Sequence, residues 1–391
     1  AAELSEIYQS LWQSCHPARK AARGETAIPF VGATLPSLLA ERGYHSTLIT
    51  DEHQVAALRG ATEFQELIQI GDARQSSQPT RAKEVASTDF ARIFTAVIET
   101  VANCPEAKNS ASDRATSHPR MIWVHSQGMF GPWDAPLELQ LPLLEEEDTL
   151  PIESVVSPDF SFELNDDPDI AFRYGAAYAA QVLALDACLQ GVLEALKSRG
   201  ERESWLVMLI GARGFPLAEH QRIGGVDSRL PTEQLHVPWL IRFPDGRGQL
   251  ARSESLVSHL DLLPTLLDWI GRGCDSNLQV DGSSLLSQVV AGAPTWRDSL
   301  LSTSSTGSYS VRTAGWSLRG DASDSQSADD LPTAELFVRP DDRWEANDVS
   351  KLCPDVVEQL HQSAMDALRQ LTADNPTLPA IESIDHDSPQ A

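Results

Sequence analysis

The fold class is indicated first by SHLDLLPTLLDWIG, residues 258–271. This stretch lies in a predicted helix over residues 256–270 that ends at Gly271, because glycine readily takes the left-handed conformation that closes a helix. Two continuous apolar runs precede it, at residues 205–210 and 237–243, and predict strands that are buried on both faces. Strands of that kind need helices on both sides of their sheet, so the stretch indicates an α/β fold.

Strands and helices also alternate toward the N-terminus. A short helix over residues 35–42 precedes a strand over residues 45–50, and a periodic helix over residues 89–101 precedes an apolar strand over residues 121–125. The longest apolar stripe predicts a helix over residues 170–199. This order predicts a mostly parallel central sheet flanked by helices on both faces.

The pattern changes after residue 293. Short strands are predicted over residues 309–311, 316–319 and 335–338, followed by a helix over residues 354–371. We therefore predict an α/β domain over residues 1–293 and a small C-terminal α+β subdomain over residues 294–372. The polar, proline-containing residues 373–391 are expected to form a disordered tail.

Charge and composition exclude several functions. The 391 residues include 56 acidic and 30 basic side chains, which gives a net charge of −26. Such a surface repels nucleic acids and disfavours long sulfated polysaccharides, although a local basic pocket could still hold a small anion. No run of eighteen apolar residues occurs, so we expect no membrane span.

The five cysteines give no sign of a metal or disulfide framework. They are far apart, odd in number and without C-x-x-C spacing: Cys15, Cys104, Cys188, Cys274 and Cys353. No basic and apolar leader begins at Ala1. Unless such a leader lies upstream, these two features favour a cytoplasmic location.

Several motifs in a fixed order carry a family resemblance. They are TLPSLLAERGYHSTLIT at residues 34–50, SHLDLLPTLLDWIG, DGSSLL at residues 281–286, WRD at residues 296–298, VRT at residues 311–313 and ELFVRPDDRWEANDVS at residues 335–350. From about residue 4 to about residue 371 the chain resembles the sulfatase family of the alkaline phosphatase superfamily. The resemblance implies an alkaline-phosphatase-like fold and ester hydrolysis assisted by calcium or a similar divalent ion. It also implies a first strand, bearing paired aspartates, that is either absent or upstream of Ala1.

The family's metal-binding strand end is altered. Where the family has Asp-His-Gly, this chain has Ala212, Arg213 and Gly214. Alanine has no ligand atom, and arginine stays protonated and would repel a divalent ion. An ion pair with one of the many acids is the expected role of Arg213, and the alternative is that it binds a small anion.

Three substrate-binding positions of the family are also altered. Phe130 stands where a histidine is expected, Asp51 where a lysine is expected, and Gly224 or Gly225 where a second lysine is expected. The resemblance therefore implies that the groups holding the ester oxygens are missing.

Two registers are open for the nucleophile. Cys15, with Pro17 and Arg19, matches the family's C-x-P-x-R motif literally. The better register aligns SLWQSCHP with the helix that follows the motif, which puts the nucleophile position at Leu4 or Ser5. A five-residue motif without its context is a weak indication.

Two functional hypotheses follow. The first is a sulfatase-like protein without catalysis or a cofactor that binds a protein partner or a small anion such as sulfate or phosphate. The alternative is an active sulfuric-ester or phosphoric-ester hydrolase with a rebuilt site, in which three histidines and a carboxylate could hold zinc. The residual pocket would consist of His53, His125, Asp134, Arg213, Glu219 and His220, with Asp51 close by.

Overall fold

The computed structural model describes most of the chain. It covers residues 3–21, 33–71, 80–104, 118–144, 150–163, 167, 169–200, 204–271, 278–287, 297–322 and 333–373. Cys274 and nearly all of the predicted tail lie outside these residues. The four other cysteines are free thiols.

The described residues form ten α-helices and eleven strands. The helices are α1 Leu4–Gln13, α2 Ala18–Ala21, α3 Leu35–Ala40, α4 His53–Ala56, α5 Asp89–Ala102, α6 Leu137–Gln140, α7 Asp169–Ser198, α8 Thr232–Leu235, α9 Leu262–Trp269 and α10 Pro354–Thr372. The strands are β1 His45–Thr50, β2 Glu66–Gln69, β3 Arg120–His125, β4 Asp159–Ser161, β5 Val207–Ile210, β6 Arg222–Gly224, β7 Trp239–Arg242, β8 Ser299–Thr303, β9 Ser308–Thr313, β10 Trp316–Asp321 and β11 Glu335–Val338.

The core contains a parallel sheet, as predicted. Its strands have the order β2-β1-β3, and both pairs are parallel. β5 pairs with β7 in the antiparallel direction, which the sequence did not predict. An apolar run carries no information on strand direction, because a strand buried on both faces is apolar in either orientation.

Helices cover both faces of these strands. On one face, α1, α3 and α9 pack around Trp12, Leu35 and Leu263. On the other face, α5 and α7 pack around Ile93 and Val192. Thr88 caps α5 by accepting a hydrogen bond from the backbone N–H of Ala91, which explains why this helix begins where the periodic pattern begins.

Two predicted helices differ in detail. α7 confirms the long stripe, and by length and composition it would suffice to cross a membrane, yet it packs against α5 in the core. The predicted helix over residues 256–270 is shorter, because a 3₁₀ turn, His259–Asp261, precedes α9. Pro264 lies in the first turn of α9, where its missing N–H costs no hydrogen bond.

The C-terminal subdomain is a four-stranded antiparallel sheet with the order β11-β10-β9-β8. Its core packs α10 against the sheet around Tyr309, Val311 and Leu360. The three predicted strands and the predicted helix are present. β8 was not predicted, and neither was β2, since both are short and only partly apolar.

Candidate functional site

A cavity of about 930 Å³ opens at the carboxyl ends of the core strands. Its lining includes Glu52 after β1, the segment from Ser126 to Phe130 after β3, and the segment from Gly211 to Phe215 after β5. The carboxyl ends of parallel strands are where open α/β sheets place ligands. The C-terminal subdomain closes one side of this cavity with Arg339, Arg343 and Trp344.

Arg213 is the central cation of the cavity. Its guanidinium carbon lies 3.8 Å from the centroid of the Phe130 ring, a stacked cation–π contact. Within the described residues no ion pair links Arg213 to a carboxylate. Burial lowers the pKa of Arg213, and the negative charge of Glu52 partly offsets that effect.

His125 ends β3 and is neutral at neutral pH. Burial, and to a lesser degree the positive charge of Arg213, lowers the pKa of His125 to about 4. The indole N–H of Trp123 donates to the Tyr8 hydroxyl over 3.3 Å, and that hydroxyl lies 2.6 Å from Nδ1 of His125. We infer that Tyr8 donates to Nδ1, which leaves the imidazole proton on Nε2.

Asp51 fastens the loop after β3 to the end of β1. Its carboxylate accepts from the backbone N–H of Gln127 over 2.8 Å and from the hydroxyl of Ser126 over 3.2 Å. Burial raises the pKa of Asp51 to about 6, although these hydrogen bonds pull it down. The residue at the position of the family's lysine is therefore a structural clamp beside the cavity.

The two candidate positions for the nucleophile lie at opposite ends of α1. Leu4, at the start of α1, lines the cavity, and Ser5 lines a neighbouring pocket together with Arg213. Cys15 follows the other end of α1, about 16 Å along a helix axis from Leu4. Its thiol contacts Gln9 at 3.2 Å, and it does not line the cavity. The literal motif at Cys15 is therefore not part of this site.

Only part of the predicted pocket is assembled. His125, Arg213 and Glu219 line the cavity, together with the altered positions Ala212 and Phe130. Gly225 does not line it. This glycine has a φ of +69°, and a Cβ there would meet Arg222 and Asp159.

The other three predicted residues have structural partners. Asp134 is buried and accepts from the backbone N–H of Asp89 at the start of α5. His53 contacts Gln69 at 3.2 Å on the surface. His220 is 2.7 Å from Glu233, which raises the pKa of the histidine. None of the three lines the cavity with His125.

The implied divalent ion does not fit these side chains. No three His, Cys, Asp or Glu residues in the described part of the chain come together as a metal-binding group. Two carboxylates that could serve as metal ligands already have hydrogen-bond partners. Asp51 accepts from the backbone N–H of Gln127, and Glu233 contacts His220. The proposed zinc cluster of His53, His125 and His220 is therefore not formed.

Sequence reasoning missed several residues of the site. Tyr8 orients His125, and Arg339, Arg343 and Trp344 close the cavity. The last three lie in the motif at residues 335–350, which served only to identify the fold. The available signal was a loop motif between short elements that contains two arginines and a tryptophan.

The family is settled by comparison with known proteins. A sequence model of the Sulfatase family matches residues 6–272. The chain belongs to the sulfatase family. An N-acetylglucosamine-6-O-sulfatase of Bacteroides thetaiotaomicron is 32% identical over 114 residues, which are 29% of this chain and 20% of that relative. This sulfatase-family chain thus matches about a fifth of the length of that relative.

Solved structures confirm the alkaline-phosphatase-like fold. A phosphonate monoester hydrolase of Agrobacterium radiobacter superposes with a TM-score of 0.68 at 16% identity, covering 95% of this chain and 87% of that one. A structure in complex with its substrate D-glucosamine-2-N,6-O-disulfate gives a TM-score of 0.64 at 16% identity, covering 96% and 90%. At this identity the likeness shows the fold alone.

Proposed function

We propose that this sulfatase-family protein binds a small sulfate or phosphate group in the cavity and does not hydrolyse it. One observation carries the proposal: Arg213 is a partly buried cation, stacked on Phe130, with no carboxylate ion-paired to it among the described residues. A guanidinium in that state gains most from an oxyanion, since its fork of N–H groups matches two oxygens.

The neighbours of Arg213 support binding more than catalysis. His125 is neutral and can donate from Nε2 to an anion oxygen. Of the two candidates for the nucleophile position, Leu4 has no nucleophilic atom, and the hydroxyl of Ser5 lies in a neighbouring pocket instead of the cavity. Ala212 replaces a ligand of the family's metal ion. These residues can hold an oxyanion, but they supply neither an attacking group nor a divalent ion for its ester.

The acidic residues of the cavity and of the whole chain favour a small ligand over a polymer. Glu52 and Glu219 also line the cavity, and the whole chain has a net charge of −26. Among the described residues the positive charges that line the cavity are Arg213, Arg339 and Arg343, so a ligand with one or two charged groups fits better than a polymer. One of the solved structures named above holds a sulfated sugar as its substrate, and another is a phosphonate monoester hydrolase. Both ligands are small compounds with one or two anionic groups, which agrees with the proposed ligand.

Thermal unfolding with increasing sulfate tests the proposal. Sulfate should raise the melting temperature of the natural chain by a few degrees at saturation, because a ligand at a hundred times its Kd adds about 2.7 kcal/mol of stability. Arg213→Gln should abolish this shift. Arg247→Gln is the matched control, because Arg247 also stacks on an aromatic ring, Phe243, but is ion-paired to Asp245.

Two outcomes would overturn the proposal. One is an equal sulfate shift in Arg213→Gln, which would locate the anion elsewhere. The other is turnover of an aryl sulfate or aryl phosphate by the natural chain that Arg213→Gln removes, which would favour the alternative of an active hydrolase with a rebuilt site.

A further inference from the structure

Three arginines of the C-terminal subdomain lie where it meets the cavity. Arg339 directly follows β11, Arg343 lies in the loop between β11 and α10, and both line the cavity. The guanidinium carbon of Arg343 stacks over the ring of Trp344, 4.4 Å from its centroid. Arg312 of β9 lies next to Arg339 and does not line the cavity itself. We call Arg312, Arg339 and Arg343 the arginine cluster.

The charges of Arg312 and Arg339 act on each other and on a nearby histidine. Burial lowers the pKa of Arg312, and the positive charge of Arg339 lowers it further, while Glu345 partly offsets both effects. Burial and then the same two arginines lower the pKa of His236, which also lines the cavity. Like charges that lie this close repel each other, so this side of the cavity has a positive potential.

No carboxylate is ion-paired to the arginine cluster in the part of the chain that the structure describes. Arg312 donates to the hydroxyl of Thr232 over 2.8 Å. Arg339 donates to the backbone carbonyl of Asp342 over 3.4 Å. Both acceptors are neutral groups, so they orient the guanidinium groups without balancing their charge.

The carboxylates in this region are bound to other groups. Glu233 contacts His220 at 2.7 Å, and Glu345 is ion-paired to Arg319 at 3.2 Å. The side chain of Asp342 accepts from two backbone N–H groups of its own loop. The chain has 56 acidic side chains, yet the described ones leave the arginine cluster without a paired counter-charge. A bound oxyanion would supply that charge.

The short helix α8 lies between Arg213 and the arginine cluster. The N–H of Gly214, the residue after Arg213, donates to the carbonyl of Gln234 over 2.9 Å. Arg312 donates to Thr232, the first residue of α8. Four residues of an α-helix span about 6 Å, so the two positive regions are separated by about the length of a small molecule. Both open into the same cavity through Arg213, Arg339 and Arg343.

We propose that the arginine cluster is a second anion subsite and that the ligand of the cavity is a small molecule with two oxyanion groups, one bound by Arg213 and one by the cluster. The first of these two groups rests on the proposed function. Once one group is bound, the second binds intramolecularly, which raises affinity by about 10² to 10⁴ for a linker that spans the sites. A single sulfate or phosphate would occupy only half of this arrangement.

Isothermal titration at constant ionic strength tests the second subsite, with butanesulfonate compared against the terminal disulfonates of ethane, propane, butane and hexane. The series varies the distance between the two anionic groups, and the constant ionic strength keeps charge screening equal. In the natural chain, the disulfonate that fits best should bind at least tenfold more tightly than butanesulfonate.

Two substitutions should remove this gain. The double variant Arg339→Gln, Arg343→Gln should raise the Kd of the best disulfonate at least tenfold, to the value for butanesulfonate, and should still bind butanesulfonate at Arg213. Neither arginine has an ion pair among the described residues, so the variant should fold. Arg247→Gln is the matched control and should change neither Kd, because Arg247 also stacks on a tryptophan, Trp269, but is ion-paired to Asp245.

Two results would overturn the second subsite. One is that no disulfonate binds more tightly than butanesulfonate in the natural chain, and the other is that the double variant keeps the tenfold gain. Neither result touches the proposed function, which stands or falls with sulfate binding in Arg213→Gln. Disulfonate binding that survives Arg213→Gln and disappears in the double variant would support the subsite at the cluster and overturn the proposed function.

Discussion

The guanidinium of Arg213 stacks on the ring of Phe130, with 3.8 Å between the guanidinium carbon and the ring centroid. Both residues stand at positions where the family resemblance implies polar groups. Arg213 lies in the place of the metal-binding Asp-His-Gly motif, and Phe130 stands in the place of a substrate-binding histidine. The two altered positions are therefore coupled: the ring that replaces the histidine supports the cation at the altered metal site. This pairing is the structural basis of the proposed anion pocket.

Replacing the ring should weaken anion binding without removing it. Phe130→Leu takes away the cation–π contact, which is worth about 0.5 to 1 kcal/mol, so the Kd for sulfate should rise roughly two- to fivefold. Isothermal titration calorimetry measures this change. Phe172→Leu, on the exposed surface of α7, is the control and should leave the Kd unchanged. An unchanged Kd in Phe130→Leu would show that the ring does not support Arg213 in the bound state.

The ionised side chain of Asp51 should lower the free energy of unfolding at neutral pH. Its folded pKa, about 6, lies above the ordinary value of 3.8, so the folded state disfavours the ionised form. The penalty is absent below pH 3.8, develops between pH 3.8 and 6, and is complete above pH 6. Asp51→Asn should therefore raise the free energy of unfolding by about 2 kcal/mol at pH 7.5 and by almost nothing at pH 4.

Urea denaturation at the two pH values measures this difference. Asp245→Asn is the control, because Asp245 is on the surface and its partner Arg247 lowers its pKa. A gain in Asp51→Asn that is equal at both pH values would contradict the assignment, since the effect would not come from ionisation.

The buried carboxylate of Glu345 should be essential for stability. Burial alone would raise its pKa, but Arg319, with Nη1 at 3.2 Å, and hydrogen bonds from Ser317 and Thr232 hold the pKa below its ordinary value. Glu345→Gln would leave Arg319 buried without this partner and should cost about 3 kcal/mol or more.

The same arginine supplies a matched control for Glu345. Arg319 also pairs with Glu335 at 2.9 Å, and Glu335 is 46% exposed on the surface. Glu335→Gln should cost less than about 1 kcal/mol, as exposed ion pairs do. Chemical denaturation compares the two variants, and equal costs would contradict the claim that burial sets the importance of these contacts.

The fold could largely be predicted because it depends on apolar periodicity. The long stripe of α7 and the buried strands β1 and β3 follow directly from the spacing of apolar residues. The direction of β7 could not be predicted, because its apolar run suits either direction.

The site was predictable only where a strand end fixes a position. His125 is the last residue of β3 and Arg213 lies three residues after the end of β5, so their meeting at one edge could be expected from a parallel sheet. The contact of Arg213 with Phe130 could not be predicted, because a sequence of 56 acids favours an ion pair and gives no sign of a stacked ring. His220 was misplaced because its loop carries it to Glu233 and to the subdomain interface.

The most direct test of the central claim is sulfate binding with and without a divalent ion. Isothermal titration should be done on chelator-treated protein and repeated after calcium is added. We predict the same Kd in both states, because Arg213 supplies the positive charge. Binding that appears only with calcium would contradict the account and would place the metal ligands outside the described residues.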